Sequence, residues 1–307
     1  MVSDRGKIRR MGILAISATF CCALWGSAFP AVKWGYALSG MTDGSVWQYI
    51  YYAGLRFVLA GALLWLMTVR RTGLPKRCDW KPIIWISLFQ TVLQYTFFYI
   101  GVSKTSGTGA SIVAGGNVFV AVIISSLVFH NEQLTLQKTV GCLLGFFGIL
   151  WVHLQDVDAF AGMHWLGEGL VFMATVSYAI STNLMKRFAG DSNPVLLATY
   201  QFIVGGLTML FVGNIFGGAI HLPTVQSLGV LVYLSGVSAA AYAIWSLLLN
   251  VYPVSSVAVF GFTTPVFGVI FSNVLLAESA MFDTASVLTA LLLIAVGILI
   301  VNRRESD

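Results

Sequence analysis

Long apolar stretches alternate with short polar segments along the whole chain. A membrane-spanning helix needs about 20 mostly apolar residues, and dividing the chain at charged and turn-forming residues predicts ten such spans. They fall near residues 11–36, 47–69, 82–102, 107–129, 137–154, 164–185, 194–217, 225–250, 254–277 and 284–301. The connections are short, so the pattern predicts an all-α integral membrane protein without a water-soluble domain.

The basic N-terminal segment is compatible with this interpretation. Residues 5–10 read RGKIRR and precede an apolar run from Met11 to about Leu38. The apolar core of a secretory signal has only about 7–15 residues. We therefore expect the run to be retained as the first span.

The composition indicates that lipid surrounds most of the protein. Of the 307 residues, 58% are hydrophobic and 9% are charged, and the mean hydropathy is +0.85. A soluble domain carries about 25% charged residues, so the partner of this surface is the lipid bilayer. In a membrane protein, a formal net charge of +5 indicates orientation in the membrane and not nucleic-acid binding. We therefore expect no nucleic-acid partner.

Basic residues concentrate in alternate connections. If the N-terminus is cytoplasmic, the cytoplasmic segments hold 14 of the 17 lysines and arginines. Because basic residues are retained on the cytoplasmic side, the pattern predicts a multi-pass protein of the cell membrane with both termini in the cytoplasm.

No motif for a metal, a cofactor or a catalytic centre is found. The four cysteines form no Cys-x-x-Cys pair, and the four histidines have no ligand spacing. There is no G-x-x-x-x-G-K-[ST] phosphate loop. We expect no cofactor and no catalytic residue, and we keep an intramembrane enzyme and a non-transporting sensor as remote alternatives.

The chain contains an internal repeat. Four pairs of segments match in the same order: 24–34 with 177–187, 55–66 with 200–211, Glu132 with Glu278, and 148–152 with 297–301. The pairing aligns Lys33 with Lys186 and Arg56 with Gln201.

The repeat predicts two halves, 1–155 and 156–307, of five spans each. Because five is odd, the second half is inverted relative to the first. Inverted repeats are typical of alternating-access carriers, whose binding site lies near the bilayer midplane between the halves.

Several segments resemble the EamA-type carriers of the drug/metabolite transporter superfamily. They are WGSAFPAVKWG (25–35), LRFVLAGALL (55–64), the stretch 105–152 and its partner 253–278. The resemblance implies a ten-helix bundle with a central cavity lined by spans one, three, four, six, eight and nine. It also implies export or exchange of small metabolites, often amino acids. The family usually has a proline in the fourth span; here Asn117 stands near that level, whereas the ninth span keeps Pro265.

Polar and aromatic residues within the spans are the candidates for substrate binding. In the third span, Gln90 and Gln94 are four residues apart, as are Tyr95 and Tyr99, so each pair shares a helix face. The predicted substrate-binding set is Trp25, Gln94, Tyr95, Tyr99, Asn117, Tyr178, Tyr242 and Trp245. The alternative role for each is packing between helices.

A second set is expected to be structural or to control gating. Arg56 is the charge deepest in a span, where it costs about 2.5–3.5 kcal/mol. It should pair with a polar group or an anion, bracing the bundle or gating it. Lys33 can extend to the interface, and Pro30 and Pro265 can bend their helices. Glu132 and Glu278 are expected to cap or brace the next helix, with proton coupling as the alternative.

The favoured function is a secondary transporter, exporter or exchanger, of small neutral or zwitterionic metabolites such as amino acids, acting as a monomer. No Asp or Glu lies at mid-membrane depth, which disfavours a cationic substrate. The alternatives are a multidrug or cationic-compound transporter and a nucleotide-type metabolite transporter. The sequence does not distinguish uniport, exchange and ion-coupled antiport as the way in which transport is driven.

Overall fold

A computed structural model describes residues 4–41, 44–102, 104, 113–153, 165–220, 224–276 and 284–303. Within these ranges the chain forms ten helical spans, labelled α1 to α10 in chain order. Seven of them are single α-helices: α1 Asp4–Leu38, α2 Val46–Thr72, α4 Asn117–Leu127, α5 Leu136–His153, α7 Pro194–Ile215, α8 Val225–Val251 and α10 Thr284–Asn302.

The other three spans change helix type along their length. The segments of α3 are Trp80–Ile86, the π-helical Ser87–Leu93 and Gln94–Val102. The π-helical turn Trp165–Gly169 opens α6, which continues as Leu170–Phe188. The segments of α9 are Val254–Ala258, the 3₁₀-helical Val259–Phe262 and Thr263–Leu276. Such irregular turns inside helices are frequent at functional sites.

Local sequence explains where several helices begin and end. Asn193 caps α7 by accepting hydrogen bonds from the backbone N–H groups of Val195 and Leu196, at 2.9 and 3.2 Å. Thr224 caps α8 through the N–H of Ser227 at 3.1 Å. These contacts satisfy backbone donors that the first helical turn leaves free. After α2, Gly73 adopts a φ of 71°, which glycine accommodates without strain.

Five of the described helices have the length and apolarity to cross a bilayer: Arg10–Leu38, Val46–Thr72, Arg77–Val102, Pro194–Ile215 and Val225–Val251. Shorter apolar helices lie at Val113–Leu127, Leu136–Trp151, Val254–Gly268 and Leu288–Asn302. The predicted fold class is confirmed: an all-α membrane protein with ten spans in two inverted five-helix repeats.

Helix contacts follow the repeat. The α2 helix packs along its repeat partner α7, and α5 packs along its partner α10. In the same way α1 packs against α8 and α9, whereas α6 packs against α3 and α4. Each of these pairs joins one half to the other, so the halves interlock through most of their described spans.

Glycines allow the closest of these crossings. A Cβ added at Gly206 of α7 would lie 2.7 Å from the backbone nitrogen of Val58 in α2. A Cβ added at Gly297 of α10 would lie 2.6 Å from the carbonyl oxygen of Gly141 in α5. The backbones therefore approach each other more closely than any other residue would permit.

Three buried apolar clusters form the interior, and Trp25 packs against all of them. The largest contains buried residues of every span except α2, the second joins α2 to α7 and α8, and the third joins α1 to α2 and α8. Trp25 of α1 therefore marks the point where the halves meet.

Candidate functional site

Aromatic side chains from four helices converge around Trp25. Its ring centroid lies 5.2 Å from that of Tyr242 and 4.9 Å from that of Trp245, both edge-on. The hydroxyl groups of Tyr95 and Tyr242 are 3.4 Å apart, and the phenol of Tyr178 lies near both tyrosines. These five residues, on α1, α3, α6 and α8, are called the aromatic cluster below. All five were predicted substrate-binding residues.

The cluster carries polar atoms that the described residues leave without hydrogen bonds. They are the indole nitrogens of Trp25 and Trp245 and the side-chain oxygens of Gln90 and Gln94, all buried. Buried polar atoms are nearly always hydrogen-bonded to protein or water. The two indole N–H donors of the cluster, and the oxygen of Gln90 beside Tyr242 and Trp245, are therefore available to a ligand or to water.

A small cavity of about 10 Å³ adjoins the cluster, which is about the room of one water molecule. Its walls include Gln90, Thr182, Tyr242, Trp245 and Ser246. The π-helical turn of α3 contains Gln90, and the sequence pattern does not reveal this turn.

Tyr99 extends the site in one direction. Its ring lies 6.1 Å from that of Tyr95 and 6.3 Å from that of Tyr49. Tyr36 in turn contacts Tyr49 at 4.6 Å and Tyr52 at 5.4 Å. We call Tyr36, Tyr49, Tyr52 and Tyr99 the tyrosine group. Only Tyr99 of this group was predicted to bind substrate, although the run YIYY at 49–52 could have indicated Tyr49 and Tyr52.

Arg56 lies between the two groups. It is buried, with 6% exposed; its Nε donates to Ser238 Oγ at 2.9 Å, and its guanidinium lies 5.5 Å from the ring centre of Phe57. It interacts electrostatically with Tyr99 and Tyr242. The hydrogen bond joins α2 of one half to α8 of the other.

The repeat partner of Arg56 makes the equivalent bond. Gln201 of α7 is fully buried, and its Oε1 accepts a hydrogen bond from Thr91 Oγ1 of α3 at 2.7 Å. One bond therefore links α2 to α8 and its counterpart links α7 to α3. The two differ in charge, because only Arg56 carries one.

The remaining predicted residues lie elsewhere. Asn117 is the first residue of α4, and its Oδ1 faces Gly261 of α9, apart from the ring contacts of the aromatic cluster. Lys33 is exposed near the end of α1, and Pro30 is buried within that helix, which continues past it. Pro265 lies in the first turn of the last segment of α9. Glu278 lies outside the described residues.

The side of the molecule on which α1 begins and α2 ends is called the N-terminal face. Glu132 lies there, in the α4–α5 connection, and pairs with Lys138 Nζ at 2.9 Å. Its carboxylate also accepts hydrogen bonds from the backbone N–H of Ser255, at 2.9 Å, and from the Ser255 hydroxyl. Glu132 thus binds the start of α9, in the other half, as well as α5.

Three further bonds cross between helices at this face. The amide of Asn131 donates to Asn183 Oδ1 of α6 at 3.1 Å. Lys186 Nζ donates to the carbonyl of Tyr252 at 2.8 Å, and the Tyr252 hydroxyl donates to the Arg10 carbonyl at 2.8 Å. Apart from Lys186, which the repeat pairs with Lys33, these residues could not be predicted from the sequence, because their pairing depends on tertiary contacts.

Among the described residues, no three His, Cys, Asp or Glu side chains come together as metal ligands. The described carboxylates lie near span ends: Asp79, Glu132, Glu168 and Asp191. Away from the span ends, the described interior therefore offers aromatic rings, amides, hydroxyls and the guanidinium of Arg56.

Ten spans, an inverted repeat and a polar-aromatic site between the halves define a membrane carrier. A model of the EamA-like transporter family matches residues 10–154 and again residues 165–303. The chain belongs to the EamA-like transporter family, which confirms the resemblance seen in its sequence. It is a multi-pass membrane transporter and not an enzyme.

Relatives match over most of their length. An uncharacterized transporter of Archaeoglobus fulgidus is 28% identical over 302 residues, which cover 95% of this chain and 98% of that protein. The uncharacterized transporter YvbV of Bacillus subtilis is 26% identical, with coverages of 95% and 92%. The chloroplastic WAT1-related protein At3g02690 of Arabidopsis thaliana is 24% identical, with coverages of 83% and 62%.

A solved crystal structure shares the fold. It superposes with a TM-score of 0.74 at 17% sequence identity, covering 94% of this chain and 97% of the other.

Proposed function

We propose that this protein is a secondary transporter that exports or exchanges small neutral or zwitterionic metabolites, such as amino acids, by alternating access between the halves 1–155 and 156–307. The observation that carries the proposal is the aromatic cluster, where helices of both halves meet around buried polar groups that have no hydrogen-bond partner among the described residues. Small-molecule sites combine apolar walls with a few polar groups, and carrier sites lie between repeats.

The distribution of charge supports a substrate without net charge. A buried cation needs an opposing charge or hydrogen-bonding groups, and the described carboxylates lie near span ends. A phosphate-bearing substrate would favour several basic side chains, whereas the site contains Arg56. An uncharged or zwitterionic solute matches one guanidinium among amides and hydroxyls.

A transporter of organic cations is the second candidate. The rings of Trp25, Trp245 and Tyr242 pack together at this site, and aromatic rings attract cations through their faces. This candidate predicts transport of quaternary ammonium compounds, which the first does not.

We infer that the N-terminal face is cytoplasmic and that the protein lies in the cell membrane with both termini inside. The ends of α2 and α6 at this face carry Arg70, Arg71, Lys186 and Arg187, as expected for a cytoplasmic face. We also infer that the monomer is functional, because the glycine crossings are occupied within one chain.

Purified protein in liposomes tests the function. Vesicles loaded with unlabelled solute would be supplied with the same solute in labelled form, from a panel of amino acids, nucleosides and quaternary ammonium compounds. We expect exchange above empty vesicles for at least one amino acid. Exchange only of quaternary ammonium compounds would support the second candidate, and exchange of none would contradict both.

A further inference from the structure

Arg56 is the one site residue with a charge, and its surroundings leave that charge without an evident structural purpose. Its bonded partner Ser238 and the ring that it overlies, Phe57, are both neutral. Its repeat partner Gln201 makes the matching bond with a neutral amide. A hydrogen bond at this point of the fold therefore does not require a guanidinium.

Burying the charge is costly. An arginine at membrane depth is costly to insert, and one hydrogen bond to a hydroxyl returns only part of this cost. A guanidinium has five N–H donors in a planar fork. The bond to Ser238 uses Nε, and the two Nη groups have the geometry that suits a carboxylate.

The position of Arg56 connects it to the proposed substrate site. Phe57, beneath the guanidinium, has its ring centroid 4.6 Å from that of Tyr95 of the aromatic cluster. The phenols of Tyr36 and Tyr99 also lie close enough to Arg56 for its charge to act on them. The buried hydroxyl of Tyr36 has no hydrogen-bond partner among the described residues. An anion beside Arg56 would have further donors within the same group.

We propose that Arg56 is a substrate-binding residue whose guanidinium receives the carboxylate of the transported solute, with the remainder of the solute lying over the aromatic cluster. The inference rests on the proposed function and narrows it from neutral or zwitterionic solutes to those with a carboxylate. It makes Arg56 a determinant of specificity in addition to a link between α2 and α8.

The test compares an acid with its amide. Exchange of labelled L-leucine and of L-leucinamide, or of whichever amino acid and amide the liposome panel supports, would be measured with wild-type protein and with Arg56→Gln. A charge-assisted bond should give the wild type a preference for the acid of roughly tenfold or more, and Arg56→Gln should abolish it. The ratio is measured within one preparation, so it does not depend on how much protein folded.

A second pair of variants leaves Arg56 in place. Ser238→Asp puts a carboxylate beside Nε, and Ser238→Asn adds an uncharged side chain of the same size. We expect the aspartate variant to lose most of the preference for the acid and the asparagine variant to keep it, and this comparison decides the matter if Arg56→Gln does not fold.

Two failures are distinguishable. Wild-type protein that exchanges no solute contradicts the proposed function. Wild-type protein that exchanges the amino acid, with an acid preference that neither Arg56→Gln nor Ser238→Asp lowers, overturns the role of Arg56 alone.

Discussion

At the scale of single residues, Trp25 connects the two halves of the interior. It contacts Tyr242 and Trp245 of the other half, borders all three apolar clusters, and has an indole N–H that no described residue hydrogen-bonds. An apolar wall with one free donor favours recognition of a solute over packing alone, since packing would be served equally by phenylalanine.

Trp25→Phe separates these roles. The ring is retained and the donor is removed, so we expect the protein to fold while the KM for exchange of its solute rises about three- to tenfold, the effect of one neutral hydrogen bond. KM from the liposome assay and elution from a size-exclusion column are the measurements. Trp34→Phe is the matched control, because Trp34 lies in the same helix and is exposed. Equal KM values for both variants and the wild type would show that the indole N–H of Trp25 is not used.

At the scale of elements, the contacts of Glu132 connect two helices. Its carboxylate binds Lys138 at the start of α5 and Ser255 at the start of α9. A carboxylate at a helix N-terminus satisfies free N–H groups and interacts favourably with the helix dipole. The contact holds the two halves together at the N-terminal face.

Glu132→Gln should loosen this face. A neutral hydrogen bond is weaker than a charged one by about 1 kcal/mol, which shifts the ratio of open to closed molecules about fivefold. Cys21 and Cys22 are buried in α1 against α8 and α9, so their rate of maleimide modification, measured with Cys78→Ser present, should rise by a similar factor. Asp191→Asn removes an exposed carboxylate at the same face and should leave the rate unchanged. An equal rate in the two variants would argue that Glu132 does not hold the halves closed.

The α2–α7 crossing makes a prediction about stability. A Cβ at Gly206 meets the backbone of Val58 at 2.7 Å, whereas a Cβ at Gly236 of α8 meets nothing within 4 Å. Gly206→Ala should therefore destabilise the protein by about 1–3 kcal/mol through overpacking, and Gly236→Ala should not. Thermal unfolding in detergent provides the comparison, and equal midpoints for the two variants would contradict the close crossing.

At the scale of the whole molecule, Cys78 can be used to determine the orientation of the protein in the membrane. Cys78 is exposed, and the other three cysteines are buried. It lies in the basic α2–α3 connection at the N-terminal face, which we propose to be cytoplasmic.

A membrane-impermeant maleimide should label Cys78 in inside-out vesicles and not in intact cells. Cys78→Ser should abolish the labelling, which assigns the signal to this residue. Labelling of intact cells that Cys78→Ser removes would reverse the proposed topology.

Much of the architecture could be predicted from sequence. The length of an apolar run predicts a span directly. A backbone in lipid must satisfy its polar groups internally, and a helix does so within one segment. The pairing of Arg56 with Gln201 and the inversion of the halves came from the repeat, and the structure adds that both side chains bind across the halves.

The tertiary structure decided which candidates meet. Tyr242 and Trp245 contact Trp25, and Tyr95 and Tyr178 lie beside Tyr242. In contrast, Asn117 faces Gly261, and the tyrosines at 36, 49 and 52 form a second group. These outcomes depend on the rotation of each helix about its axis. That rotation is set by the glycine crossings and by the π-helical turn of α3, which shifts the register of the residues that follow it. The pattern of hydrophobic residues predicts neither the glycine crossings nor the π-helical turn, because both form only when the helices pack.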